Sequence, residues 1–167
     1  VFNGLKALNA KQNDIVVVHN GTNPLVKEEE ITKCINAAKK YGAAAAGFQL
    51  KDTIKKIKSN FVEKTLDRKD VYQMQTPQAM QHRLFAEAFR NARKKNLKVT
   101  DDVSLAEAFG KKVKIVPCSY ENIKVTTQDD LKIAEAILMR RDNITARFGF
   151  GHASHQFSIN GNKKLVL

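Results

Sequence analysis

Continuous apolar runs alternate along this chain with segments of helical period. Asp14-Ile-Val-Val-Val-His19 is a short apolar run between polar flanks, as expected of a strand buried on both faces of a parallel sheet. It leads into a loop, Asn20-Gly-Thr-Asn-Pro24. From 27 to 41, Ile31, Ile35 and Ala38 recur at helical spacing after an acidic first turn, Glu28-Glu29-Glu30, and Gly42 closes the predicted helix. Ala43 to Phe48 reads as a second buried strand, although its alanines make propensity a poor guide. Gln78 to Lys95 predicts an amphipathic helix with Met80, Leu84, Phe85, Ala88, Phe89 and Ala92 on one face. Thr100-Asp101-Asp102 caps a further short helix that Gly110 ends. Lys112 to Val116 alternates as a strand, and a strand end is expected around Ile123-Lys124-Val125. Residues 127 to 141 then predict a helix with Leu131, Ile133, Ala134, Ile137 and Leu138 inward. Strands alternating with helices in this way predict an α/β fold with a parallel sheet.

Two segments depart from the pattern. Ile54, Ile57, Phe61 and Val62 lie among many charges between 51 and 67, poor material for a core and suited to an exposed two-stranded arm closing on Ser59-Asn60. Such an arm needs a partner for stability. After Arg141 the pattern restarts: Arg147-Phe-Gly-Phe-Gly151 is punctuated by glycine, and Lys163-Lys164-Leu-Val-Leu167 stops in mid-strand. A domain over 1–142 and the start of a second over 143–167 are therefore expected. A first residue of Val1 suggests a chain cut from something longer.

Composition narrows the classes. With 43% hydrophobic and 28% charged residues the chain is of ordinary globular make-up, and no run approaches the ~18 apolar residues of a membrane span. A formal net charge of +12, from 29 Lys and Arg against 17 Asp and Glu, attracts anions such as nucleotides, phosphorylated metabolites or RNA. The cations fall in scattered pairs such as Lys39-Lys40 and Arg140-Arg141 without interleaved aromatics, so they read as solvated surface and nucleic acid is not the expected partner. Cys34 and Cys118 have no metal or redox spacing and fit free thiols in a reducing cytosol.

In an open parallel sheet, ligands bind beyond the carboxyl ends of the strands, which makes the loops after Val18, Val116 and Val125 informative. Gly21 in the first loop lets backbone amides approach a phosphate or hydroxyl, though the same residues make an ordinary polar turn. Lys124 places an ammonium where charge develops on an attacked phosphoryl group; the alternative is a surface lysine. Thr65-Leu-Asp-Arg68 and Gln75-Thr-Pro-Gln78 offer a phosphate donor in Thr65, or serve only as cap, turn and ion pair.

Those two motifs, with Thr100-Asp-Asp-Val-Ser-Leu105 and Asn122-Ile-Lys-Val-Thr-Thr127, occur in an order that resembles 2-C-methyl-D-erythritol 4-phosphate cytidylyltransferase. Arg147-Phe-Gly-Phe-Gly-His-Ala-Ser-His-Gln-Phe157 is similar to the opening of 2,4-cyclodiphosphate synthase, which bifunctional enzymes of the non-mevalonate isoprenoid pathway carry after the transferase. The resemblance implies an incomplete Rossmann-like nucleotidyltransferase sheet with a protruding β-arm, followed by the truncated start of an α+β synthase domain. It implies a cytoplasmic enzyme in which methylerythritol phosphate attacks the α-phosphate of CTP with magnesium, and a homo-oligomer formed through the arm around 51–67. Lys124 would match the lysine at the α-phosphate, Thr65 the arm threonine that reaches a neighbouring subunit's substrate, and Gly21 the amide facing the nucleotide sugar.

Departures from the family pattern accompany these matches. Asn20 and Asn23 stand for an acid and a basic residue near the substrate, and His82 for a partner-subunit arginine at the substrate phosphate. In the synthase piece only His155 remains of an Asp-X-His metal pair, with Ala153 at the aspartate position, in a site expected to take a divalent metal such as zinc. The glycine-rich CTP loop of the family is expected upstream of Val1, so the fragment alone is expected to be inactive. Two rivals stand beside this reading: a cytidylyltransferase for another polyol phosphate such as ribitol 5-phosphate, and a non-catalytic relative that binds nucleic acid through its basic surface.

Overall fold

The computed structural model describes residues 1–141. A short helix, α1 (Phe2–Ala7), precedes strand β1 (Ile15–Val18), helix α2 (Glu28–Tyr41) and strand β2 (Ala43–Gln49). The hairpin β3 (Lys55–Lys58) and β4 (Phe61–Thr65) follows, then a single 3-10 turn over Arg68–Asp70. Strand β5 (Tyr72–Gln81) runs directly into helix α3 (His82–Lys94), and α4 (Asp102–Ala108), β6 (Lys114–Pro117) and α5 (Gln128–Arg141) complete the order. No helix among the described residues is long and apolar enough to cross a membrane.

The main sheet has the order β1-β5-β2-β6. β2 and β6 are parallel, whereas β5 runs antiparallel to both β1 and β2, so the sheet is mixed where the alternating pattern predicted a parallel one. The reason lies in β5. Met80, Leu84, Ala88 and Ala92 share helical spacing, which drew the predicted helix back to Gln78, yet residues 78 to 80 pair with both neighbours, Gln81 pairs with β1, and the helix begins only at His82. Pro77 has no N–H to give a ladder. Opposite residues 75–77 the β2 strand shifts register, between Ala45 and Gly47, which accommodates it.

Alternation along the strands builds two cores. Ala43, Ala45, Met80, Val16 and Val18 face a layer containing Leu5, Phe85, Ala88, Val103 and Leu105 from α1, α3 and α4. Ala44, Ala46, Ala79, Ile15 and Val17 face Cys34 and Ala38 of α2. The alanine run that left propensity undecided is thus the central strand, wholly buried on both faces. Gly47 continues the strand where space is tight, since an added Cβ would sit 3.2 Å from the Gln73 carbonyl oxygen. Gly42 ends α2 with φ +90, a conformation that favours glycine.

Other expectations fare unevenly. The arm forms as predicted, with Ser59 and Asn60 at φ 48 and 66 in the turn, and Ile57, Phe61 and Val62 exposed, Phe61 at 78%. Asp101 caps α4, its side chain accepting from the Ser104 N–H at 3.0 Å. The strand predicted over 112–116 forms over Lys114–Pro117, and no strand forms among residues 121–127. In α5 only Ala134 is buried, while Leu131, Ile133 and Leu138 are exposed, contrary to the expected inward face. α1 went unpredicted; Leu5 buries into the core and the Phe2 ring packs on Phe89 with centroids 5.4 Å apart.

Candidate functional site

β5 outruns β1. Val18 pairs with Gln78, so the preceding residues of β5 extend past the end of β1 and receive the loop that leaves it. There the Asn20 main-chain N–H donates to Thr76 Oγ1 at 3.2 Å, and Asn23 Nδ2 donates to Gln75 Oε1 at 3.1 Å. His19 Nε2–H donates to the Asn23 carbonyl at 2.9 Å and tightens the same loop. A cleft of about 330 Å³ opens at this junction, lined by Asn20, Asn23, Gln75, Gln78, Asp101 and Lys124 among others. Sequence reasoning named Asn20, Asn23 and Lys124, the last about a hundred residues from the other two, and the fold brings all three to one cleft.

Asn122, buried at 0% exposure, positions the lysine. Its Nδ2 donates to the Thr76 carbonyl at 2.7 Å, and its own carbonyl accepts from Asn23 Nδ2 at 3.1 Å. Next to it, the Val125 N–H donates to the Thr22 carbonyl at 2.7 Å. Residues 123–125 thus form a loop tied to the loop after β1, not a strand. Upstream, Glu121 accepts from Arg141 Nε at 2.9 Å and lies near Arg140 and Lys27; the Arg141 hydrogen bond is the main reason its carboxyl titrates below the ordinary range. Arg141 also donates to the Leu25 carbonyl at 2.8 Å, so one guanidinium joins α5 to both loops.

Downstream, Asp130 accepts from the Thr126 N–H at 2.9 Å, from the Thr126 hydroxyl at 2.9 Å and from the Thr127 N–H at 2.8 Å. These donors, the Thr126 N–H first, lower its pKa from the ordinary 3.8 to about 2. A depressed folded pKa means that the carboxylate stabilises the fold above the unfolded value and that this contribution is lost as pH falls through about 2. Asp130→Asn is therefore expected to flatten the acid limb of a stability-versus-pH curve between about pH 4 and 2. Denaturant melts at successive pH values test this, and an acid limb unchanged by the substitution counts against it.

The cleft pairs one cation with acids and amides. Lys124 is exposed and forms no ion pair among the described residues, while Asp101 and Asp102 line the same opening and burial raises the Asp102 carboxyl above its usual range. Asp101 is already engaged, accepting from Gln78 Nε2 at 3.0 Å. Five carboxamides, Asn20, Asn23, Gln73, Gln75 and Gln78, make up much of the wall. Such groups read hydroxyls as both donors and acceptors without charge. Sequence reasoning assigned no site role to Asn122, Gln75 or Gln78; their place inside the ordered motifs was the available signal.

The remaining predicted residues lie elsewhere in this chain. Gly21 is in the β1 loop with open space around its Cα. Thr65 is exposed at the end of β4, its hydroxyl taking Lys55 Nζ at 2.7 Å. His82 opens α3 at the end of β5 remote from the cleft, its N–H donating to the Asp14 carbonyl at 2.8 Å. His155, Ala153 and the expected second domain over 143–167 lie outside the described residues. No group of three metal-ligand side chains forms among the described residues. The two free thiols are both poor nucleophiles, since burial pushes Cys34 to about 12 and Cys118 to about 11.

Comparison with known proteins completes the picture. The profile of the IspD family, 2-C-methyl-D-erythritol 4-phosphate cytidylyltransferase, matches residues 1–140. The chain is 46% identical over 141 residues to the 2-C-methyl-D-erythritol 4-phosphate cytidylyltransferase of Geobacillus kaustophilus, covering 84% of this chain and 61% of that one. The enzyme of that name from Pelotomaculum thermopropionicum is 45% identical over 150 residues, covering 89% of this chain and 63% of the relative. The chain thus spans about three fifths of the length of these relatives. Among solved structures, 4-diphosphocytidyl-2C-methyl-D-erythritol synthase from Anaerococcus prevotii superposes with a TM-score of 0.76 at 42% identity, over 83% of this chain and 62% of that one. The bifunctional IspDF of Campylobacter jejuni shares the fold, with a TM-score of 0.64 at 24% identity, over 78% of this chain and 32% of its own.

Proposed function

The chain belongs to the 2-C-methyl-D-erythritol 4-phosphate cytidylyltransferase family, and from that premise we propose that the protein it represents transfers a cytidylyl group from CTP to 2-C-methyl-D-erythritol 4-phosphate in isoprenoid precursor synthesis. The observation that carries the proposal is the cleft in which Lys124, the amide wall and the Asn20 loop meet. A phosphate oxygen of the polyol phosphate attacks the α-phosphorus of CTP; the new P–O bond forms as the bond to the β-phosphate breaks, and pyrophosphate leaves. Lys124 offsets the negative charge that grows on the α-phosphate, and Asn20 and Gln73, the exposed carboxamides of the wall, hold the polyol hydroxyls. Magnesium would be carried by the nucleotide phosphates, as it usually binds.

Full-length protein supplied with CTP, methylerythritol phosphate and magnesium should release pyrophosphate and yield the cytidine diphosphate adduct. No release with the complete protein would overturn the reading. Asn20 and Asn23 bring no charge to their side of the cleft, which favours running ribitol 5-phosphate beside it. A dimer through the arm is supported by the exposed Ile57, Phe61 and Val62 on β3 and β4, and Thr65 and His82 are proposed to meet substrate across that dimer. A cytoplasmic location and a synthase domain beginning within 143–167, holding a divalent metal through His155, complete the proposal. The likeness of Arg147 to Phe157 to a synthase opening supports that second domain.

A further inference from the structure

Strand β6 leaves the sheet with little to steer it. Pro117 ends the strand, and the Cys118 N–H makes the last bond to β2, donating to the Gly47 carbonyl at 3.1 Å. The next main-chain donor, the Ser119 N–H, goes to a side chain 89 positions away: Oε1 of Glu30 accepts it at 2.5 Å. Glu30 stands in the first turn of α2 and is 3% exposed, and its Oε2 accepts from the Lys27 N–H at 3.0 Å. Two main-chain donors and the positive end of a helix make a buried carboxylate tolerable. Ser119 then closes the turn that follows, its carbonyl accepting from the Asn122 N–H at 3.2 Å and its hydroxyl from the Glu121 N–H at 3.1 Å. Asn122 carries the chain to the Thr76 carbonyl at the cleft, and Lys124 follows two residues on.

We propose that Glu30 is a positioning residue for Lys124: from inside α2 it holds the turn at 119–122 and so fixes the point from which the lysine-bearing loop sets out. The chemistry demands a carboxylate. Two N–H groups from different parts of the chain converge on it, and only a carboxylate offers an accepting oxygen to each. In Glu30→Gln, of nearly the same shape, one of those oxygens becomes an NH2 that meets an N–H. The Lys27 bond spans three residues and re-forms at small entropic cost, so the Ser119 side is the one that opens. Glu30→Asp keeps both oxygens but withdraws them by one methylene, which also gives up the distant partner. The neighbouring thiol reflects the same proximity, since the Glu30 charge adds to burial in pushing Cys118 up to about 11.

The kinetic half of this inference rests on the cytidylyl-transfer reading; the tie between α2 and the turn does not, and each has its own measurement in the full-length protein. By amide hydrogen exchange, Glu30→Gln should speed exchange at Ser119 and Asn122 about tenfold or more relative to Ala88 and Ala92 of α3. An equal rise at all four amides marks general destabilisation and overturns the tie. In turnover, Glu30→Gln should lower kcat about tenfold with KM for CTP and for methylerythritol phosphate within about threefold, because a slightly displaced lysine still meets substrate but not the developing charge. Combined with Lys124→Ala, the same substitution should cost no more than about twofold, there being no ammonium left to misplace. Losses that multiply in the double variant overturn positioning through Lys124, as does a single variant whose kcat stays within about threefold of wild type. If Glu30→Gln does not fold, Glu30→Asp takes its place in every arm with the same limits. Absence of turnover in the wild type defeats the transfer reading and, with it, the kinetic half; the exchange arm still decides the tie.

Discussion

Lys124→Ala in the full-length protein should lower cytidylyl transfer by about 100-fold or more, with KM for CTP changing much less. The size follows from what one preorganised charge supplies at a reacting phosphate, about 2.7–4 kcal/mol when it acts chiefly in the transition state. Lys124 is suited to that task because its ammonium forms no ion pair among the described residues, so its charge is not neutralised beforehand. Its loop is held at both ends, by Asn122 on one side and by Asp130 on Thr126 and Thr127 on the other. Binding substrate therefore need not order the backbone that carries it. Lys124→Arg should recover only part of the loss, since a broad fork does not occupy the place of a compact ammonium. Melting temperatures of both variants should match the wild type, because an exposed side chain without partners contributes little to stability. Turnover of Lys124→Ala within about threefold of wild type would make Lys124 an ordinary surface lysine.

The sequence marks Lys124 as a candidate and is opaque just beside it, for a physical reason. A lysine in a loop after a sheet strand advertises itself by charge, and helix ends such as Gly42 and Asp101 by capping chemistry. The arm was legible because Ile57, Phe61 and Val62 sit among charges that no core accepts. The antiparallel strand was hidden because Met80 and the α3 residues share a spacing that helix and strand both allow, and because its pairing is set by residues far away in sequence. The failure at α5 is of the same kind. Apolar residues lie all around that helix, so periodicity named an inward face that the packing buries only at Ala134. Buried amides are harder still. Asn23 looks like a turn former, and only its contact with Asn122, 99 residues away, shows it as a tie between loops.

The side-chain amide of Asn122 gives the largest expected effect on stability. Asn122→Asp should lower the unfolding free energy by about 3–5 kcal/mol, a Tm loss of about 6–20 °C. Asn122 is fully buried, and its Nδ2 donates to the Thr76 carbonyl at 2.7 Å. The substitution puts a carboxylate oxygen where that donor was, against a carbonyl, with no water to solvate the charge. The existing Oδ1 already lacks a partner, so the site has no spare donor for a second oxygen. Asn122→Ala removes the same bond without adding charge and should cost less, which separates the effect of burying charge from that of losing a hydrogen bond. A buried carboxyl has its folded pKa raised above the unfolded value, so the deficit of Asn122→Asp should be full at neutral pH and shrink as pH falls through that raised value. Activity measured well below the melting point should fall as well, because Lys124 stands two residues from the displaced amide. If Asn122→Asp melts within about 2 °C of the wild type, the buried amide does not hold this loop, and the placement of Lys124 must come from the Glu121–Arg141 and Asp130 contacts on either side.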